Sequence, residues 1–232
     1  MKSGLGIFRS YLHNPEKWRE TETMDAKITA VLDAYHERIR QEEEGYGVTP
    51  GGNAREWRDQ VLLPVGPDTG RLINIIVKSL DAPNILELGT SYGYSGIWLA
   101  EAARATGGRV TTVELADYKA EYARDMAAKA GLSDYIDFKV GDALGIIDAL
   151  PPRSNSGIDF VLLDLWKDMY VPCLEAFLPK LNPGAIIVAD NMITPGGDNV
   201  KAYGKAVRAT PGMTSILLPV GAGLEVSVYE PG

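Results

Sequence analysis

Several features that mark other classes of protein are absent from this chain. It contains a single cysteine, Cys173, so no disulfide can form within it, which is typical of a reducing compartment. No apolar run is long enough to cross a membrane, and the N-terminal residues lack the apolar core of a signal peptide. These absences predict a cytoplasmic protein with no membrane partner.

An excess of basic residues is also absent. The chain has 31 acidic and 23 basic residues and a net charge of -8, whereas a nucleic-acid-binding protein needs a basic face to neutralise phosphates. We therefore expect no nucleic-acid partner. Histidine is scarce too. The two histidines, His13 and His36, both fall in an N-terminal region of helical pattern, which leaves the rest of the chain without a catalytic histidine.

The chain consists of two regions that differ in pattern. Residues 1–60 predict an N-terminal helical extension, with a helix start at Asn14 and Pro15 and a glycine-rich loop at 45–53. Residues 61–232 predict one domain in which strands and helices alternate. The predicted strands are residues 84–88, 109–113, 136–140, 159–163 and 185–189, then a hairpin of 213–219 and 224–229. The predicted helices of this domain are residues 69–80, 95–105, 118–130, 143–150 and 169–178.

The alternation predicts an α/β fold of the doubly wound, Rossmann-like kind. Strands that are apolar almost throughout indicate a parallel sheet covered by helices on both faces. Right-handed crossovers between parallel strands then make the sheet doubly wound. In such folds ligands bind beyond the carboxyl ends of the strands, so the residues that follow each strand are the candidates for function.

A glycine-containing loop follows the first predicted strand and reads ELGTSYGYS over residues 87–95. Gly89 and Gly93 allow the backbone to approach a ligand closely, although both could be ordinary turn residues. Glu114 ends the second strand, where a carboxylate can accept hydrogen bonds from both hydroxyls of a ribose. Asp142 and Ala143 follow the third strand, where they either line an adenine or begin a helix, with Asp142 as its N-cap.

Two cofactors bind at a loop in this position of the fold, a nicotinamide dinucleotide and S-adenosylmethionine. A dinucleotide requires the spacing GxGxxG, which places its pyrophosphate on a helix N-terminus. The loop here has the spacing GxxxG and is preceded by Glu87, whose charge would repel a pyrophosphate. The same carboxylate favours the ammonium or sulfonium group of S-adenosylmethionine. The loop therefore favours S-adenosylmethionine.

A second set of polar residues follows the fourth and fifth predicted strands. Asp164, Asp190 and Asn191 offer two carboxylates and an amide oxygen, which suit Mg2+ or another hard divalent cation such as Mn2+ or Ca2+. The alternative is that each aspartate caps a helix. Lys167 lies three residues after Asp164 and could act there as a base, or else be a surface lysine paired with Asp168.

Methyl transfer to oxygen would use both sets of residues. A phenol is mostly protonated at neutral pH, with a pKa of about 10, and is then a weak nucleophile. A divalent cation lowers the pKa of a vicinal diol, and a nearby lysine can accept the proton that is released. The acceptor predicted by this chemistry is a small aromatic diol.

Three motifs in order resemble those of the metal-dependent O-methyltransferases, the family of the catechol and caffeoyl-CoA O-methyltransferases. They read LELGxxxGYS at 86–95, LDxWKDxY at 163–170 and ADN at 189–191, and the resemblance extends over about residues 61–229. The WKD variant is more similar to the catechol branch. The resemblance implies a seven-stranded sheet with an antiparallel last strand, and it allows a homodimer.

The resemblance also implies roles for individual residues. Lys167 would be the general base, and the metal ligands would be Asp164, Asp190 and Asn191. The residues implied in cofactor binding are Val65, Glu87, Gly89, Gly93, Tyr94, Ser95, Glu114, Asp142, Ala143, Asp164 and Trp166.

Three departures from the family pattern concern the acceptor side. Leu165 stands where the catechol enzymes have histidine, and Ile216 or Leu217 where they have a glutamate that hydrogen-bonds the catechol. Their gatekeeping tryptophan is replaced near Val61, with Trp57 close by. These departures predict an acceptor pocket of different shape. Two other functions stay open: a nicotinamide-dependent oxidoreductase, and a catalytically inactive S-adenosylmethionine-binding protein.

Overall fold

A computed structural model describes residues 24–45 and 60–232 of the 232-residue chain. The predicted helix start at Asn14 and Pro15, most of the glycine-rich loop and Trp57 lie outside the described residues. Neither described range contains a helix that is long and apolar enough to cross a membrane.

Seven strands form one sheet in the order β3-β2-β1-β4-β5-β7-β6. The first five strands run parallel, whereas β7 runs antiparallel to both β5 and β6. The doubly wound sheet with an antiparallel last strand is thereby confirmed, as is the C-terminal hairpin at the sheet edge. The strands are β1 Asn84–Leu88, β2 Arg109–Glu114, β3 Ile136–Val140, β4 Ile158–Leu163, β5 Leu181–Ala189, β6 Met213–Leu218 and β7 Leu224–Tyr229.

Eight α-helices accompany the sheet in the described ranges. They are α1 Ala26–Gly45, α2 Pro67–Lys78, α3 Tyr94–Thr106, α4 Asp117–Lys129, α5 Ala143–Ala149, α6 Arg153–Ser156, α7 Tyr170–Phe177 and α8 Asp198–Ala209. Helices α1 to α4 cover one face of the sheet, and α5, α7 and α8 cover the other. Phe160 and Leu162 pack against the first group of helices, and Val161 and Leu163 against the second, as the alternation of side chains along a strand requires.

Most element bounds agree with the sequence pattern to within two residues, with three differences, of which the first is that the short helix α6 Arg153–Ser156 was not predicted. No helix was predicted where α8 lies, although its buried Val200, Tyr203 and Val207 have helical spacing. The glycines and proline of residues 195–197 obscured its start. β5 begins at Leu181 rather than Ala185, because Leu181 pairs with Ile158 on β4. Pro183 and Gly184 fall where the register of this pair shifts, so the sequence pattern does not continue through them.

Helix α1 packs into the same core as the helices of the α/β domain. Its Ile28, Leu32 and Tyr35 are fully buried and share one apolar cluster with α2, α3 and α4. The division of the chain at residue 60 stays a prediction.

Candidate active site

The carboxyl ends of β1, β4 and β5 bring three loops together. Leu88 pairs with Leu163, and Leu163 pairs with Ala189, so the residues that follow these strands are neighbours. The Asp164 amide donates to the Leu88 carbonyl oxygen at 2.9 Å, and the Asp190 amide donates to Leu163 at 3.1 Å. The loops at Gly89, Asp164 and Asp190 therefore meet at the carboxyl ends of these central strands.

Gly89 permits the close approach of the first two loops. Its φ is 106°, in a region that favours glycine, and a Cβ there would collide with the carbonyl oxygen of Asp164. A side chain at this position would separate the two loops.

Glu87 is a fully buried carboxyl with a hydrogen-bond donor at each oxygen. The Ser95 hydroxyl donates to Oε1 at 2.5 Å, and the Thr112 hydroxyl donates to Oε2 at 2.5 Å. Burial raises the pKa of Glu87 to about 7; the two hydroxyls act to lower it, and the charges of Asp164 and Glu114 act to raise it. Thr112 was missed from sequence. It lies opposite Glu87 in the β1–β2 register, which the sequence pattern alone does not specify.

Glu114 shapes the same loop through backbone contacts. Its two oxygens accept the amides of Ser91 and Ala116, at 2.8 and 2.9 Å. A carboxylate has about four acceptor positions, so Glu114 keeps capacity for further donors such as ribose hydroxyls. The Glu114 carbonyl oxygen accepts the Gly141 amide at 2.9 Å, which places the loop before Asp142 beside the end of β2.

A cavity opens between the loop after β1 and the segment that precedes α2. Five of the residues predicted to bind a cofactor are among those that line it: Val65, Gly89, Tyr94, Ser95 and Asp164. The other lining residues, which were not predicted, are Leu62, Leu63, Pro64, Thr90, Ser91 and Tyr92.

The remaining predicted cofactor residues do not line this cavity. Glu87 lies behind Ser95, a lining residue whose hydroxyl donates to it. The Gly93 amide donates to the carbonyl oxygen of another lining residue, Thr90, at 2.9 Å. Asp142 accepts the Gly145 amide at 2.9 Å as the N-cap of α5, of which Ala143 is the first residue. Trp166 is 40% exposed and precedes a turn of 3-10 helix, Lys167–Met169.

The predicted metal ligands lie together beyond β4 and β5. Asp190 is buried, and its Oδ1 accepts no hydrogen bond within the described ranges. The pKa of Asp190 is raised to about 8, chiefly by burial and then by the charge of Asp164, while Lys167 and a backbone hydrogen bond from Asn191 act to lower it. Burial also raises the pKa of Asp164, again against Lys167. Asn191 has a φ of 59°, in the left-handed region that asparagine tolerates.

This donor set fits a divalent cation. A buried carboxylate oxygen without a donor is costly, and a second carboxylate beside it increases the cost, whereas a cation would relieve both. Across residues 24–45 and 60–232 no three His, Cys, Asp or Glu side chains cluster as a metal site would. The candidate set has only two carboxylates, and its third member is the amide of Asn191.

Lys167 is held between Asp164 and a buried tyrosine, Tyr170. Its Nζ contacts Asp164 Oδ1 at 2.9 Å and donates to the Tyr170 hydroxyl at 2.7 Å. The Tyr170 hydroxyl in turn donates to the carbonyl oxygen of Asp190 at 3.0 Å. Only 23% of the Lys167 side chain is exposed, and its ion-pair partner is Asp164 rather than Asp168. The role of Tyr170 was missed because it depends on the turn of 3-10 helix between the two residues.

The three departures occupy different places. Leu165 packs against the apolar cluster under α7 and α8. Ile216 and Leu217 lie on β6, the edge strand, and are 58% and 42% exposed. β7 separates them from β5 and hence from Asp190. Val61 is buried.

Comparison with known proteins identifies relatives of most of the α/β region. A family model described as O-methyltransferase matches residues 55–224. A probable O-methyltransferase from Mycobacterium tuberculosis is 38% identical over 154 residues, which are 63% of this chain and 65% of that protein. The catechol O-methyltransferase of Niastella koreensis is 34% identical over 58% of this chain and 60% of its own length. These alignments thus cover less than two thirds of both relatives.

The fold matches that of a solved O-methyltransferase from Bacillus cereus, crystallised in complex with SAH. The TM-score is 0.69 with 22% identity, over 96% of this chain and 100% of the other. At this identity the likeness is one of fold.

Proposed function

Because the chain belongs to the O-methyltransferase family, we propose that it transfers a methyl group from S-adenosylmethionine to a hydroxyl of a catechol-type aromatic, with the help of Mg2+. The observation that carries the proposal is the position of Asp164. This carboxylate lines the cavity, contacts Lys167, and lies beside Asp190, whose Oδ1 has no hydrogen-bond partner among the described residues. The cavity, a candidate base and a candidate metal set therefore share one residue.

The cavity and the loops around it would hold the methyl donor. When bound, S-adenosylmethionine supplies an electrophilic methyl group on a sulfonium. Val65, Tyr94 and Ser95 line its place, Gly89 lets the backbone approach, and Glu114 offers acceptor positions for the ribose. The proposed cofactor site also includes Gly93 in the loop after β1. It further includes three residues around the adenine: Asp142, Ala143 and Trp166. Glu87 lies beneath and holds Ser95 through a short hydrogen bond.

Asp164, Asp190 and Asn191 would hold the cation. A divalent ion at this site supplies Lewis-acid chemistry, which favours the ionised form of one hydroxyl of a vicinal diol. Mg2+ is the first choice among hard cations for two carboxylates and an amide, and Mn2+ or Ca2+ are alternatives.

In its neutral amine form, Lys167 would accept the proton of the reacting hydroxyl at Nζ. The O–H bond of the acceptor breaks, an O–CH3 bond forms, and the methyl–sulfur bond breaks, with S-adenosylhomocysteine as the second product. Asp164 and Tyr170 fix the position of Nζ, which orients the base toward the shared edge. A small aromatic diol is the proposed acceptor, and a homodimer is the proposed assembly.

Two lysines on this chain provide a matched test of the base. Lys167 and Lys201 each pair with an aspartate three residues earlier, but Lys201 is 73% exposed and lies on α8. We expect Lys167→Met to lower methyl transfer by roughly 100- to 10,000-fold and Lys201→Met to leave it unchanged.

The assay would supply labelled S-adenosylmethionine with catechol, related diols and matched monophenols, with Mg2+ or with a chelator. Diol methylation that needs the cation and Lys167 would support the proposal. Equal activity in the chelator would contradict the metal, and equal activity of Lys167→Met would contradict the base. A protein that binds S-adenosylhomocysteine but methylates no acceptor would be the inactive binding protein. Family membership argues against a nicotinamide oxidoreductase, and binding of NAD without binding of S-adenosylhomocysteine would restore that function.

A further inference from the structure

Helix α1 precedes the region that matches the family model, and yet it makes polar contacts with the cofactor cavity. The family match begins at residue 55, whereas α1 spans Ala26–Gly45. Residues of α1 do not line the cavity, but three of the lining residues accept or donate hydrogen bonds to α1 side chains. Apolar packing of α1 would not by itself require these contacts.

The first contact holds the segment before α2. Glu42 Oε2 accepts the backbone amide of Leu62 at 2.8 Å, and Arg38 Nε donates to Glu42 Oε1 at 2.8 Å. Residues 62–66 are neither helix nor strand, so they lack the backbone ladder that would otherwise fix them. Only 18% of the Glu42 side chain is exposed, and a partly buried hydrogen bond to a carboxylate is among the stronger ones.

The second and third contacts hold the loop after β1 and the first residue of α3. The Tyr35 hydroxyl donates to the Tyr92 carbonyl oxygen at 2.5 Å, and the Arg38 guanidinium lies 4.2 Å from the centre of the Tyr92 ring. His36 Nε2 shares a hydrogen bond of 3.1 Å with the Tyr94 hydroxyl. The cavity has two walls: residues 62–65, and the loop after β1 with the start of α3. The Glu42 contact reaches the first wall, and the contacts of Tyr35, Arg38 and His36 reach the second.

We propose that α1 positions the two walls of the cofactor cavity, with Glu42 and Tyr35 as positioning residues that raise the affinity for S-adenosylmethionine. Glu42 acts on the cofactor through Leu62, and Tyr35 acts through Tyr92; neither touches the reacting atoms. The inference rests on the proposed function only in that the cavity binds this cofactor. It assigns a binding role to a helix outside the matched region, in addition to its contribution to the core.

The test measures the affinity for S-adenosylhomocysteine by calorimetry on the full chain, together with the melting temperature. Glu37 provides the matched control, since it is also a glutamate of α1 that pairs with an arginine, and its polar partners within the described residues, Arg40 and Gln41, lie on α1 itself. We expect Glu42→Ala to raise the Kd roughly tenfold and Glu37→Ala to leave it unchanged. Glu42→Gln retains an oxygen for the Leu62 amide, so we expect it to restore most of the affinity.

A purely structural role for Glu42 would lower the melting temperature without a change in the Kd of the folded protein. That outcome would overturn the inference, as would equal effects of Glu42→Ala and Glu37→Ala on the Kd. Should Glu42→Ala not fold, Tyr35→Phe decides, because it removes only the hydroxyl and keeps the ring in the core. A Kd raised about threefold by Tyr35→Phe would support positioning, and an unchanged Kd would overturn it. Wild-type protein that binds no S-adenosylhomocysteine would instead reject the proposed function, a result that the variants cannot mimic.

Discussion

Glu87 and Asp190 are both buried carboxyls at the same edge of the sheet, and they differ in what surrounds their oxygens. Each oxygen of Glu87 accepts a hydroxyl hydrogen bond, whereas Asp190 Oδ1 accepts none within the described ranges. A carboxyl whose acceptors are satisfied can help to hold the fold without a ligand. A carboxyl with an unpaired buried oxygen lowers stability until a cation reaches it. In the described part of the chain, the protein alone satisfies the buried acceptors around Glu87, which we call the cofactor end. It does not satisfy those around Asp190, where we propose that the cation binds and which we call the metal end.

Asp190→Asn should break the metal end and have the largest effect. The variant keeps the shape of the side chain and loses its charge, so we expect methyl transfer to fall about 1,000-fold as the proposed cation is lost. Mg2+ should raise the melting temperature of the wild type but not that of the variant. Activity with labelled cofactor and thermal melts with and without Mg2+ would measure both effects. Asp198→Asn, at a fully exposed aspartate, is the control. Equal stabilisation of Asp190→Asn and wild type by Mg2+ would show that the ion binds elsewhere.

The pH dependence of stability should sharpen the cofactor end. The pKa of Glu87 is about 7 in the folded protein against an ordinary value of 4.5. The folded state therefore holds a proton that the unfolded state releases between these two values. The contribution of Glu87 is present at low pH and is lost as the pH rises through 7, by about 3 kcal/mol in total.

Glu87→Gln supplies the reference for this measurement, because a glutamine resembles the protonated acid at every pH. Urea unfolding of both proteins from pH 4.5 to 8 should show the wild type losing stability relative to the variant. Other titrating groups largely cancel in the difference. A difference that stays flat, or that grows in favour of the wild type, would contradict a raised pKa at Glu87.

Tyr170→Phe should have a smaller effect, confined to the metal end. The variant removes the hydroxyl between Lys167 Nζ and the Asp190 carbonyl oxygen but leaves the contact of Lys167 with Asp164. We expect kcat to fall about tenfold, with unchanged affinity for S-adenosylhomocysteine. Steady-state kinetics and calorimetry would separate the two quantities. Tyr203→Phe is the control, since the hydroxyl of this neighbouring buried tyrosine has no hydrogen-bond partner in the described part of the chain.

Asp142→Ala should have the smallest effect and decide between two readings of this residue. Loss of the N-cap of α5 should lower the free energy of unfolding by about 1 kcal/mol, whatever binds nearby. Asp142→Asn keeps the cap and should restore that stability. A change in the Kd for S-adenosylhomocysteine in both variants would show that Asp142 contacts the cofactor as well as capping the helix. An unchanged Kd would show that Asp142 acts only as a cap.

More of the fold than of the candidate site could be predicted from the sequence. Strand and helix alternation predicted the sheet and its edge hairpin, and the strand ends predicted which residues, among them Gly89, Asp164 and Asp190, are candidates for function. Thr112 escaped prediction because its partner depends on the register of two parallel strands. Tyr170 escaped because its hydroxyl reaches Asp190 only through a turn that joins two elements. The contacts of α1 with the cavity link residues far apart in the chain, and no local periodicity encodes them.

The lack of a Cβ in Gly89 has a thermodynamic consequence. The Asp164 carbonyl oxygen occupies the space of a Cβ, so the loop at the cofactor and the loop at the proposed metal are in backbone contact. Neither loop can move far without displacing the other. We therefore expect binding of the proposed cation and of the methyl donor to be linked. Such a linkage is reciprocal: the factor by which the cation changes the affinity for the methyl donor equals the factor by which the methyl donor changes the affinity for the cation.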